Sequence, residues 1–213
     1  MKQALVVWGG WAGHQPEECA GIVARMLRED GFDVVVEDTT EAFTDPGLHR
    51  LSLVVPIVTM STIEREEIDN LSAAVQSGVG LAGYHGGMGD SFRDEVKYQF
   101  MVGGQWVAHP GNIIDYTVQV TRPDDPITAG IGEFPYRSEQ YYMHVDPNNE
   151  VLATTTFTGE HCGWIEGHTM PVVWKRRHGA GRVFYSSLGH QAAEFAVPQM
   201  ATILRRGMGW AAR

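Results

Sequence analysis

Cysteine is scarce in this chain, and where it occurs it stands alone. Cys19 and Cys162 are the two thiols in 213 residues, with no C-x-x-C pair, which argues against a disulfide framework or a thiolate zinc site. Cys19 falls in the first turns of a predicted helix with no base beside it in sequence, and reads as a plain core residue. Basic residues are also few: 16 Lys and Arg stand against 26 Asp and Glu, a formal charge of -10. With no basic block, nucleic acid is not an expected partner, and the negative balance serves solubility. No apolar run is long enough to cross a membrane, and Ala4 to Trp8 is too short for a signal peptide, so a cytoplasmic protein is expected. The glycine-rich segment Gly9-Gly10-Trp11-Ala12-Gly13 lacks G-x-G-x-x-G spacing and a following Lys-Ser/Thr, which argues against nucleotide binding.

What is present is an ordinary globular composition, 43% hydrophobic and 20% charged, in a length suited to one α/β domain spanning 1–213. Ala4 to Trp8 reads as a buried strand, followed by a glycine-rich loop to Gln15. Pro16-Glu17-Glu18 opens a helix, with proline in the first turn and acids facing the dipole. Strands are expected at Phe32–Glu37, Leu51–Val58 and Val79–Tyr84, with an amphipathic helix at Glu64–Ser77 between the last two. This alternation means β-α-β units and a parallel sheet. A short helix is expected through Phe92, Val96 and Phe100. Five strand-like runs follow, at Ile113–Val120, Gln140–Val145, Val151–Phe157, Val172–Arg176 and Arg182–Ser187, with a hairpin turn at His178-Gly179-Ala180-Gly181. A last helix is expected from about Ala192 to Ala212. The prediction is a parallel core with a more antiparallel second half.

Gly83-Tyr84-His85-Gly86-Gly87 is the segment richest in chemical meaning. It follows an apolar strand and has the G-x-nucleophile-x-G form of a nucleophile elbow, whose glycines permit a crowded turn and close approach of a ligand. Histidine occupies the place of the usual Ser or Cys, and its ring is expected to face a cleft. Open parallel sheets bind ligands beyond the C-terminal ends of their strands. Three of the nine histidines, His14, His85 and His190, fall there. Each alone reads more simply as structural; their shared sheet edge, with glycines beside each, argues for a common pocket. Glu139, expected in a loop before the polar and aromatic run Gln140 to His144, either orients an imidazole or is a solvated acid. Glu194 reads as a helix-dipole partner, with orientation of His190 as the other reading, and His109 and His144 carry weaker signals. Trp11 and Trp106, both expected in loops, are either platforms for a sugar ring or packing plugs. His14, His85 and His190 with Glu139 would suit zinc or another borderline divalent metal. No H-x-H or H-E-x-x-H spacing supports one, so no cofactor is required by the sequence.

At these residues the chain resembles the ThuA-like (trehalose utilization) family, a branch of the class I glutamine amidotransferase-like superfamily. The resemblance runs through Val6-Val7-Trp8 to His14, Gly83 to Gly87, Val102-Gly103-Gly104-Gln105-Trp106 to Pro110, Glu139-Gln140-Tyr141-Tyr142, and Met170 to His190. It implies a flavodoxin-like three-layer α/β/α fold, with a mainly parallel central sheet, antiparallel additions and the elbow at His85. Amidotransferases need Cys at the elbow and His-x-Glu after the final strand. Here the elbow holds His85, and His190 is followed by Gln191-Ala192, so glutaminase activity should be absent.

The family is linked to disaccharide metabolism and often accompanies sugar 3-dehydrogenases. That implies a sugar or ketosugar ligand and a dehydrogenase as a possible partner. On this reading His85 and His190 share acid and base roles, and Glu139 orients one of them. Trp11, His14, Gly86, Gly87, Trp106 and Tyr141 would contact the sugar. The other reading is a non-catalytic sugar-binding protein or a partner of the dehydrogenase. A homo-oligomer is compatible with either.

Overall fold

β1 (Lys2–Gly10) shows how the sheet acquires two buried faces. Ala4 and Val6 point into one apolar cluster and Leu5 and Val7 into another, the period-two alternation of a strand packed on both sides. The computed structural model describes residues 2–213. α1 (Pro16–Glu29) follows, with proline in its first turn and Cys19, Val23 and Leu27 on its buried stripe. β2 (Phe32–Glu37) and β3 (Leu53–Thr59) pair in parallel on either side of β1. α2 (Arg65–Gln76) starts with a capping box between Glu64 and Glu67, which satisfies backbone N–H groups at the helix start. It leads to β4 (Gly80–Tyr84), α3 (His85–Gly89) and α4 (Val96–Val102).

The second half is β5 (Gly104–Ala108), β6 (Ile113–Val120), β7 (Phe134–Glu139), β8 (Tyr142–Val145), β9 (Glu150–Thr156), β10 (Thr169–His178) and β11 (Gly181–Ser186), closed by α5 (Pro198–Ala211). The main sheet has nine strands in the order β2-β1-β3-β4-β11-β10-β9-β6-β7, and β5 and β8 form a separate pair. From β2 to β11 neighbours run parallel; from β11 to β7 they run antiparallel. Residues of α1 and α5 (Leu27, Ile203, Leu204, Met208) fill the cluster on one face, and those of α2 and α4 (Ile68, Leu71, Met101, Val102) fill the other. This is the expected three-layer α/β/α arrangement, a parallel core with antiparallel additions.

Several expectations are corrected. Phe134–Glu139 is a strand, so Glu139 is a strand terminus paired with Ile113 and does not lie in a loop. Trp106 lies in β5 and not in a loop, and Gly9 and Gly10 extend β1. The last helix is two pieces, a 3-10 turn at Ala192–Ala196 and then α5, because Pro198 lacks the N–H needed to continue a helix and instead starts one. Among the described residues no helix is long and apolar enough to cross a membrane.

Candidate active site

Three loops leave the C-terminal ends of parallel strands and meet a fourth segment from the antiparallel half. The first loop follows β1 and turns through a 3-10 helix, Ala12–His14, which buries the His14 ring. His14 Nδ1 lies 2.8 Å from Thr59 Oγ1 at the end of β3, and Trp11 N–H donates to the Thr59 carbonyl at 2.9 Å, so the two strand ends are tied together. The second is the elbow. Tyr84 is extended and His85 turns sharply into α3 with φ +46°, a left-handed conformation that a non-glycine residue seldom adopts. Gln15 and Met60, just beyond β1 and β3, share positive φ, so the strained residues gather at this sheet edge.

The third loop carries His190. Its backbone N–H donates to Glu194 Oε2 at 3.0 Å, and the same carboxylate accepts from the hydroxyls of Tyr136 (2.5 Å) and Ser138 (2.9 Å) on β7. Glu194 therefore fixes the His190 loop through its backbone, which is nearer to the reading in which it orients His190 than to a helix-dipole role. Glu139 is the fourth contributor. β7 delivers its carboxylate between two imidazoles: Oε2 lies 3.1 Å from His85 Nε2 and 3.4 Å from His190 Nδ1, and those two nitrogens are 3.2 Å apart. One ligand-capable atom from each of His14, His85, Glu139 and His190 falls within 4.8 Å of every other. The three histidines expected at one sheet edge lie together, and Glu139 from β7 joins them.

The centre is more enclosed than the sequence suggests. His85 is 1% exposed and the other three 7–8%. Tyr141 stacks on His85 with centroids 4.2 Å apart, and it is this contact that covers a ring expected to face a cleft. Trp11, 45% exposed, stands edge-on to His14 at the surface. The absent Cβ of Gly86 makes room for the His14 ring, and that of Gly87 for the Ile57 backbone. Trp106 lies behind Tyr141 with the Arg93 guanidinium over its indole.

Electrostatics follow from this burial. Burial pushes the Glu139 carboxyl up, but the His190 and His85 rings beside it, when protonated, outweigh burial and hold the group below the usual carboxylate range. His14 is lowered to about 3, first by burial and then by the neighbouring His85 and His190, against the opposing pull of Glu139. Its Nε2 is buried without a partner, as are His109 Nδ1 and Trp106 Nε1. Native structures seldom leave buried polar atoms unsatisfied, so three such atoms beside one centre mark it. His109, a weak signal in the sequence, lies 3.7 Å from Glu139 Oε1; its nearness to Trp106 was the one hint. His144 lies on β8, outside the four-residue cluster.

The family model described as trehalose utilisation, ThuA, matches residues 3–211. The chain belongs to the ThuA family. That membership supports a role in sugar metabolism. Among solved structures, a ThuA-like protein from Parabacteroides merdae is 19% identical, with a TM-score of 0.80 over 99% of this chain and 89% of that one. A ThuA-like protein from Bacteroides uniformis is 17% identical, with a TM-score of 0.81 over 99% and 91%. A β-galactosidase from Rahnella sp. R3 contains a similar fold, at 18% identity and a TM-score of 0.57, over 96% of this chain but 32% of that enzyme. These likenesses establish the ThuA fold for the chain. No curated protein matches it.

Proposed function

We propose that this ThuA protein is an enzyme that moves protons on a ketone-bearing disaccharide or glycoside. The observation that carries the reading is the placement of the Glu139 carboxylate between His85 and His190 in a buried centre. A carboxylate accepting from His190 Nδ1 fixes that tautomer and leaves a lone pair on Nε2, as an orienting acid does for a general base. His190 Nε2 makes no hydrogen bond to the protein and is not among the sealed-in nitrogens, so it is the ring atom of the centre that can meet a substrate.

A C–H next to a ketone is acidic enough for such a base. The proton passes to His190 Nε2 and the electron pair to the ketone oxygen, giving an enediolate when the carbon bears a hydroxyl. Return of the proton to the neighbouring carbon moves the ketone; alternatively, the C–O bond to the aglycone breaks and the proton leaves with the departing oxygen. Trp11, exposed beside His14, offers an apolar face to the ring. A ketone on a sugar arises by dehydrogenation, so the supplying partner would be a sugar dehydrogenase. We place both in the cytoplasm, in keeping with two neighbours from Salmonella typhimurium described as cytoplasmic proteins. No thiol or hydroxyl stands at the elbow, so glutamine should release no ammonia.

The enclosure of the centre favours a second reading, a sugar-binding partner protein without turnover. Incubation of the protein with a panel of 3-keto and unmodified disaccharides separates the two. Product from a keto compound, lost in His190→Ala, supports the enzyme; saturable sugar binding without product across the panel would overturn it.

A further inference from the structure

We propose that His85, Glu139 and His190 form a tripod for a divalent transition-metal ion of zinc type, with His14 beside its open side. The inference deepens the reading above, since it concerns the same centre, but it does not depend on the substrate being a sugar.

The first argument is proton arithmetic. His85 Nδ1 lies 2.8 Å from the Ser187 carbonyl oxygen. A carbonyl can only accept, so Nδ1 carries a proton and the neutral ring presents a lone pair at Nε2. That lone pair faces a carboxylate oxygen at 3.1 Å. A proton on His190 Nδ1 serves the two edges that it shares with His85 and Glu139. The third edge, His85 to Glu139, then sets acceptor against acceptor in buried surroundings, where such a pair is expensive. A second proton, making His85 an imidazolium, would resolve it by placing a charged ring at 1% exposure. A cation in the middle satisfies all three edges at once.

The second argument is distance. Ligands held about 2.0–2.1 Å from a tetrahedral zinc lie roughly 3.3 Å from one another. The three edges here are 3.1, 3.2 and 3.4 Å. With His14 included the set spans up to 4.8 Å, wider than that edge, which leaves space for a water or a substrate oxygen.

The third is the surrounding support. Metal-binding histidines usually donate their other ring N–H to a carbonyl or similar acceptor. His85 does so to Ser187, and His14 pairs Nδ1 with Thr59 Oγ1 while Nε2 is buried and unpartnered. Imidazole with a single carboxylate suits zinc and its first-row neighbours over calcium or magnesium, which prefer oxygen. With Nδ1 on the metal, His190 would carry its proton on Nε2 and meet a substrate as an acid, in place of the base role it has in the metal-free chain, while the ion polarises a ketone oxygen.

The test uses the full chain and no sugar. Metal-stripped protein is titrated with zinc alone in competition with a chromophoric chelator, and with cobalt(II) while visible absorption is followed. Expected are one site per chain, the intense absorption of four- or five-coordinate cobalt, and affinity at least about 100-fold weaker in His85→Gln and His190→Gln. His14→Gln should weaken binding less, and His49→Gln, outside the centre, should leave it unchanged. The cobalt spectrum of the unaltered protein keeps the test valid if a variant fails to fold. Absence of a stoichiometric site, or binding that persists unchanged in folded His85→Gln and His190→Gln, would overturn the proposal. Metal binding without turnover would leave the metal site standing and remove the enzyme reading; turnover by a protein that binds no metal in these titrations would do the reverse.

Discussion

His85 Nδ1 donates to the carbonyl oxygen of Ser187 at 2.8 Å, joining the elbow after β4 to the loop after β11 across 102 positions of sequence. The bond fixes the ring's tautomer and rotation, so the chemistry of His85 is confined to Nε2, where Glu139 and His190 wait. A side chain so constrained holds other groups in place, while His190 remains the more accessible partner.

If proton transfer is the reaction, His190→Ala and His85→Ala should each lower turnover by roughly two to four orders of magnitude. Substrate affinity should change far less, and the double variant should be barely worse than the worse single one, because the residues act as a unit. Steady-state kinetics on folded variants check this; additive losses would contradict it.

The stability of metal-free protein should fall as pH drops below 6.5. The folded chain keeps His14 neutral down to about 3, whereas the unfolded chain takes up a proton near 6.5, so protonation favours unfolding throughout that interval. By pH 5 the loss from this residue should be about 2 kcal/mol. Urea unfolding of the wild type and His14→Gln between pH 7 and 5 should show a flatter dependence in the variant.

Glu139 acts in a more acidic window. Its folded carboxyl titrates below the usual range, so its contribution is fully present above the unfolded value of about 4.3 and is lost as pH falls further. The stability gap between wild type and Glu139→Gln should therefore be constant near neutrality and shrink below about pH 4. A gap independent of pH would mean that the carboxylate is not stabilised by the two rings.

Gly86→Ala should disturb His14 without touching its sequence. A Cβ at this position would sit 2.6 Å from the His14 Cε1 and 3.0 Å from Thr59 Cγ2, both in a packed interior. Destabilisation of roughly 1–3 kcal/mol is expected, and nuclear magnetic resonance of the His14 ring should report loss of its contact with Thr59.

Much of the frame was legible from residue patterns. The limits of Phe32–Glu37 and Ile113–Val120 match the observed strands, and the glycine spacing around His85 gave the elbow. Convergence of His14, His85 and His190 followed from topology, since loops leaving one sheet edge are neighbours. The origin of Glu139 was hidden. Its strand carries Pro135 and Arg137 on the side that faces water, as an outermost strand allows, and a buried Ser138 that bonds Glu194. The sealing of His85 was hidden too, because stacking by Tyr141 depends on the separate β5–β8 pair, whose position no local pattern encodes.

The four central residues arrive from β1, β4, β7 and β11, and the last of them follows all eleven strands. During synthesis the growing chain therefore carries two histidines without a carboxylate, then three of the four residues without His190. Whatever the centre binds, it has no complete home until β11 and the loop after it have been made. A protein split anywhere between β4 and β11 could regain the centre only by bringing its pieces back together.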